Sequence, residues 1–193
     1  RENYSKIRRN GAIWEGWTRD GTKYIYRSVS HHTSASAANG SDAHKLLFNQ
    51  YWLLSEVIDA QAAAHKVTYD WEVRPQADGY AHRLNRISYG PYSISFNYDW
   101  PSNHFTYGTG TGILGKQSAR LASVEIKRGS SKIRAYRLDY TTSPVTQQSL
   151  LASVREYGSN YSMSGVRPGS GTALPKHVFS YSPQSFYYSD ATI

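Results

Sequence analysis

An all-β chain assembled from antiparallel hairpins is predicted by three observations: an aromatic-rich composition, two-residue alternation in several segments, and a short motif that recurs four times. The composition sets 17 Tyr and 5 Trp against 1 Met in 193 residues. That balance suits pleated, half-buried surfaces, where aromatic and β-branched side chains pack well, better than it suits bundles rich in Leu, Met and Ala. The length fits one ordinary domain.

The elements follow in order. Residues 1–30 predict an N-terminal hairpin, Ile13-Trp14-Glu15-Gly16-Trp17 and then Lys23-Tyr24-Ile25-Tyr26, joined through Asp20-Gly21, a favoured hairpin turn. A Leu-x-x-Val/Ile motif then opens four units, at Leu54-Ser55-Glu56-Val57, Leu84-Asn85-Arg86-Ile87, Leu121-Ala122-Ser123-Val124 and Leu151-Ala152-Ser153-Val154. Each motif is followed by a strand that alternates: Val67/Tyr69/Trp71, Ile94/Phe96/Tyr98, Tyr136/Leu138/Tyr140 and His177/Phe179/Tyr181. Gly90-Pro91 and Gly129-Ser130-Ser131 supply turn chemistry between the arms of the second and third units. The expected division is 46–100 for units one and two, 101–118 for a Gly-rich loop, 119–182 for units three and four, and 183–193 for a tail.

The motif carries a parity problem. Residues three apart in a regular strand point to opposite faces, so Leu54 and Val57 share a face only if a bulge lies between them or if Leu54 sits at the strand entrance. A sheet buried on both sides is the alternative. A helix would unite the two residues, but runs of about eight residues before a turn are too short to hold one. The in-phase positions Val57, Ile87, Val124, Val154, Tyr69, Phe96, Leu138 and Phe179 are the expected core. Asp70-Trp71 and Asp99-Trp100 read as equivalent strand ends. Residues 28–42, 101–116 and 159–172 read as loops, and 42–51 as a short helix.

Charge and composition narrow the chemistry. The net charge is +8, but the cations are dispersed apart from Arg8-Arg9 and Lys127-Arg128, which predicts a solvated basic face with no nucleic-acid partner. The absence of cysteine removes disulfides and thiolate ligands and leaves the compartment open. No apolar run approaches the roughly 20 residues of a membrane span. The opening Arg1-Glu2-Asn3-Tyr4 is neither an initiator Met nor a signal peptide, so the chain reads as an excerpt of a longer protein.

Candidate chemical motifs are weak. Gly110-Thr111-Gly112-Ile113-Leu114-Gly115 matches the dinucleotide fingerprint, and with Lys116 it imitates a P-loop. Gln117 stands where a P-loop needs a hydroxyl for Mg²⁺, and strand-like Leu121–Lys127 follows where a helix is required, so no cofactor is expected. Seven histidines include His31, His32 and His44, yet adjacent histidines are poorly placed to share an ion, and no metal site is predicted. Asp59, Asp70, Asp99 and Glu125 are the carboxylates that folding would have to pair for glycoside hydrolysis, and sequence alone does not pair them. No Gly-x-Ser-x-Gly elbow occurs, and no catalytic residue is assigned. Trp14, Trp17 and Trp52 are the candidate aromatic ligand contacts, with a glycan as candidate ligand. The sequons at Asn3, Asn39 and Asn160 matter only in a eukaryotic secretory route.

The order of pieces carries a resemblance. Glu2-Asn3-Tyr4-Ser5-Lys6-Ile7, Trp17-Thr18-Arg19-Asp20-Gly21-Thr22-Lys23-Tyr24 and Trp52-Leu53-Leu54-Ser55-Glu56-Val57-Ile58-Asp59 come first. Arg137-Leu138-Asp139-Tyr140, Ser143-Pro144, Ser149 to Gly158, Leu174-Pro175 and Phe179-Ser180-Tyr181 follow. Together they resemble the conserved β-rich region of SpvB-like proteins and Tc-toxin B subunits, which precedes the shell of Rhs/YD repeats. The Asp59–His65 turn and the insert at 159–171 depart from that pattern. The resemblance implies a large secreted or surface protein whose hairpins build a sheet wall, with any effector activity outside the matched region. It implies a structural, non-enzymatic segment that packs against flanking β-structure of its parent chain or neighbouring copies. The rival expectation is a β-sandwich that binds carbohydrate for an exported enzyme or adhesin.

Overall fold

The computed structural model describes residues 5–32, 51–76, 79–102, 105–108, 114–117 and 119–182. Fifteen strands are defined: β1 Lys6–Asn10, β2 Ile13–Trp17, β3 Lys23–Ser28, β4 Trp52–Ile58, β5 Lys66–Gln76, β6 Gly79–Tyr89, β7 Tyr92–Asp99, β8 Phe105–Gly108, β9 Leu114–Gln117, β10 Arg120–Arg128, β11 Ser131–Thr142, β12 Ser149–Tyr157, β13 Ser162–Ser164, β14 Arg167–Ser170 and β15 His177–Val178. A 3₁₀ turn, Val29–His32, follows β3. Thirteen of the strands form one sheet with the path β1-β2-β3-β4-β5-β6-β7-β10-β11-β12-β15, β8 and β9 branching off beside β6. All pairs along that path are antiparallel, and β9 meets β6 in parallel. The all-β, hairpin-built expectation holds. The sandwich does not: besides this sheet, the described residues form only the two-stranded hairpin β13-β14.

A bulge resolves the parity problem in all four units. Tyr26 opposes Leu54 and Ile25 opposes Glu56, which leaves Ser55 as an extra residue in β4. The same reading of register makes Asn85 extra in β6, Ala122 in β10 and Ala152 in β12. One added residue restores the alternation, so Leu and Val of each motif come to the same face.

Each bulge is latched by an aromatic donor. Past the bulge the two arms of a unit lose register, β4 and β5 pairing only over Glu56–Ile58 and Lys66–Thr68, and β6 and β7 only over Arg86–Tyr89 and Tyr92–Ser95. There the last aromatic of the second arm donates to the leucine carbonyl of the first: Trp71 Nε1 to Leu54 O at 2.7 Å, and Tyr98 Oη to Leu84 O at 2.7 Å. Tyr140 Oη donates to Leu121 O at 2.8 Å and Tyr181 Oη to Leu151 O at 2.9 Å. A backbone acceptor that has no ladder partner thus gains one. Trp71 is therefore equivalent to Tyr98, not to Trp100, whose half-exposed ring has the guanidiniums of Arg74 and Arg83 4.6 and 4.2 Å from its centroid.

The sheet has an aromatic face and a polar face. Cross-strand partners share a face. The pairs Val57↔Val67, Ile87↔Ile94, Val124↔Phe96 and Leu138↔Val154 therefore put the unit residues on one side. Seven of the eight expected core residues are half-buried and Phe179 is 46% exposed, so none is fully buried. The cause is the single layer: no second sheet lies over the aromatic face among the described residues, and its side chains shield one another only laterally.

Full burial is instead concentrated on the polar face, although Val73, next after Trp71 on the aromatic side of β5, is also buried. Residues 159–172, expected as a loop, form the hairpin β13-β14, which roofs β10 and β11. Under it Ala135, Tyr157 and Tyr161 make a small core. Tyr161 Oη donates to Glu125 at 2.8 Å, Ser123 Oγ donates to Val166 O at 2.6 Å, and Lys132 Nζ donates to Tyr161 O at 2.8 Å. Gly171 closes the hairpin at φ 125°, with Tyr161 Cα 2.7 Å from where a Cβ would stand, so only glycine fits. The Gly-rich segment 101–118 is also more ordered than expected, since β8 and β9 pair within it. Residues 42–50 of the expected helix, 183–193 of the tail, and His44 and His104 lie outside the described residues.

Candidate binding surface

The three N-terminal strands build a groove around a glycine. On the aromatic face, register sets Ile7 beside Gly16 and Gly16 beside Tyr24; the next row runs Arg9, Trp14, Tyr26. Gly16 contributes no side chain, and the space left is a groove of about 320 Å³ lined by Ile7, Trp14, Gly16, Trp17, Tyr24 and Tyr26 among others. Trp52 stands edge-on to Trp14, the ring centroids 6.2 Å apart at 88°. Of the three expected aromatic contacts, Trp14 and Trp17 thus line one groove and Trp52 braces its wall. The alternation Ile13-Trp14-Glu15-Gly16-Trp17 held the signal for the notch, because Gly16, two residues after Trp14, leaves a gap beside that ring on the aromatic face, while Trp17 projects from the opposite face.

Across the strand lies a charged cluster. Trp17 is ringed by Lys6, Arg8 and Lys23, whose cationic groups are 5.4, 5.5 and 5.4 Å from its centroid. Glu15 is buried between them and receives Lys23 and Arg8, each at 2.6 Å. Hydrogen bonds from Lys23 and then Arg8 hold its carboxyl at about 2. One carboxylate thus faces three cations, and Arg9 on the aromatic side adds a fourth.

A second, polar cavity of about 340 Å³ opens on the other face of β3-β5, lined by Arg27, His31, His32, Ser55, Glu56 and Asp70 among others. His32 Nε2 and the bulge hydroxyl Ser55 Oγ are 3.0 Å apart. Burial, with the charges of His31 and Arg27 adding to it, drives the His32 pKa down to about 4. The sequence places both histidines in the expected loop 28–42. The 3₁₀ turn that docks His32 on the bulge needs a long-range contact that local pattern does not encode.

The remaining candidates are committed to structural partners. Asp99 binds Arg120 at 2.7 Å and also Arg167; burial pushes its carboxyl up, and the hydrogen bonds from the two guanidiniums more than offset this and lower it. Glu125 is likewise lowered against burial, by Tyr161, Lys127 and Asn97. Asp59 caps its own turn through Gln61 N at 2.8 Å, with His65 Nδ1 3.4 Å away. Asn160 exchanges two hydrogen bonds with Thr172, both at 3.0 Å. Among the described residues no group of three His, Asp or Glu side chains is placed to hold a metal ion, and no helix is long and apolar enough to cross a membrane. Residues 110–113 of the Gly-rich motif lie outside the described residues, and strands β9 and β10 follow them.

Comparison with known proteins bears on the fold. The chain is similar to the N-terminal domain of effector protein SpvB from Salmonella typhimurium strain LT2. The TM-score is 0.60 at 12% identity, over 82% of this chain and 66% of that one. No family model matches, and no curated protein matches. At this identity the likeness concerns the fold, and the chain spans just under two thirds of the SpvB domain.

Proposed function

We propose that this chain is a non-enzymatic structural segment of a large secreted or surface protein of the SpvB, Tc-toxin and Rhs kind, where it forms part of a β-sheet wall. The observation that carries the reading is the repetition of one device, a bulged leucine motif latched by an aromatic donor, in four units of a single sheet. Repeated units of this kind bury their apolar face against neighbours and need cover at both ends. The SpvB-like fold supports the parentage, and the uncovered aromatic face supports a role that further structure completes. Residues 1–193 expressed alone test it by light scattering with thermal unfolding at several concentrations. The wall reading expects self-association and a concentration-dependent transition. A monomer with a sharp, concentration-independent transition contradicts it.

A further inference from the structure

β1 is the outermost strand of the sheet, and all five of its residues, Lys6 to Asn10, are exposed. It pairs with β2 residue for residue, with no bulge and no proline, so alternate backbone N–H and C=O groups point away from the sheet in an unbroken row. No described strand occupies that side. Edges are commonly protected against pairing by proline, by a bulge, or by like charge. Here only charge is present, and charge discriminates between partners.

Three of the five residues are Lys6, Arg8 and Arg9, and one nearby carboxylate, Glu15, is already shared by Arg8 and Lys23. Antiparallel pairing of β1 with another copy of itself would set cation against cation, in a chain already at +8. An acidic strand would meet the opposite sign on both faces: Arg9 on the aromatic side, Lys6 and Arg8 on the other. Beside this edge, behind the 72%-exposed Ile7, lies the glycine-floored groove between Trp14 and Tyr24. Its walls are rings with few polar groups, which suits an apolar side chain better than a sugar that needs several hydrogen bonds.

We propose that β1 is a strand-addition site for an extended acidic segment of the parent protein outside these 193 residues, whose apolar residue enters the groove at Gly16. Main-chain hydrogen bonds to β1 would supply affinity, and the groove and the cations would supply register and selectivity. This deepens the wall reading by naming the chemistry of the strand that continues the wall at β1.

The probe is a fluorescein-labelled peptide alternating Glu and Val, with an alternating Lys and Val peptide as control, titrated by anisotropy into the 193-residue chain. The acidic peptide binds saturably and the basic one does not. Arg9→Glu weakens binding about tenfold, as reversal of a charge at such a contact should. Gly16→Leu, which fills the groove, and Ile7→Pro, which removes an edge N–H, weaken it at least as much, with near-UV circular dichroism confirming that each variant is folded. Equal binding of both peptides, binding indifferent to Arg9→Glu and Gly16→Leu, or no binding at all overturns the proposal. So does a dimer of the chain lost on Arg9→Glu, or binding on a glycan array lost on Trp14→Ala. Any of these outcomes leaves the wall reading to its own test, which depends on association and not on this peptide.

Discussion

Tyr98, Tyr140 and Tyr181 occupy the same place in their units but not the same solvent. Tyr98 and Tyr140 are half-buried, and burial raises the pKa of both, whereas Tyr181 is 49% exposed. Removing a hydroxyl from a buried latch strands a carbonyl, and water replaces it at an open one. Tyr98→Phe and Tyr140→Phe should each cost about 1–2 kcal/mol, and Tyr181→Phe clearly less. Urea midpoints at constant slope measure this, and equal losses at all three would show that the carbonyls are solvated throughout.

Glu15 and His32 carry large shifts within an acid response shared with His31, His82 and several paired carboxylates, Asp99 and Glu125 among them. Glu15, with a folded pKa of about 2 against an ordinary 4.5, stabilises the fold above the ordinary value and loses that contribution as pH falls toward 2. His32, at about 4 against an ordinary 6.5, takes up its proton more readily when unfolded, so the fold loses stability as pH falls from 6.5 to 4. Thermal midpoints should therefore fall as pH drops through both windows. His32→Gln should reduce the loss in the upper window, leaving what His31 and His82 contribute, and Glu15→Gln should reduce it in the lower; an upper loss unchanged by His32→Gln would assign it to the other histidines.

At the scale of the element, the bulge converts a three-residue spacing into a shared face. Deleting Ala122 would return β10 to strict alternation and turn either Leu121 or Val124 to the polar face, under the β13-β14 roof. Misplacing one such side chain should cost about 2–4 kcal/mol, read from the thermal midpoint. A midpoint unchanged within error would mean that the bulge is dispensable. The bulge was legible as one of the open readings of Leu-x-x-Val, beside a leucine at the strand entrance or a sheet buried on both sides, and the cross-strand register decides for it. The latch was partly legible: the third aromatic position reads Trp71, Tyr98, Tyr140 and Tyr181, always with a hydrogen-bond donor, while the second reads Tyr69, Phe96, Leu138 and Phe179. What the donor meets depends on where the two arms lose register, and that is not written locally. The β13-β14 roof was missed for a related reason. Its Ser- and Gly-rich sequence reads as loop, and Tyr161 and Pro168 reveal their role only against Glu125 and Arg137 on distant strands.

At the scale of the molecule, hairpin order and strand phase were legible because they follow from alternation and turn chemistry. Burial was not. The expected core assumed that in-phase apolar residues would be covered, and a single sheet leaves them half-open. The same half-open face makes the chain read as part of something larger. The groove was legible as three tryptophans, but not as two lining residues and one brace, which required the cross-strand register around Gly16. The most direct measurement is electron cryo-microscopy of the parent protein expressed from its whole gene. The account predicts that this sheet is continued at β1 by a strand from the rest of the chain and that the aromatic face is covered. A self-contained module joined to its parent only by linkers, with β1 bare and the aromatic face open to solvent, would contradict it.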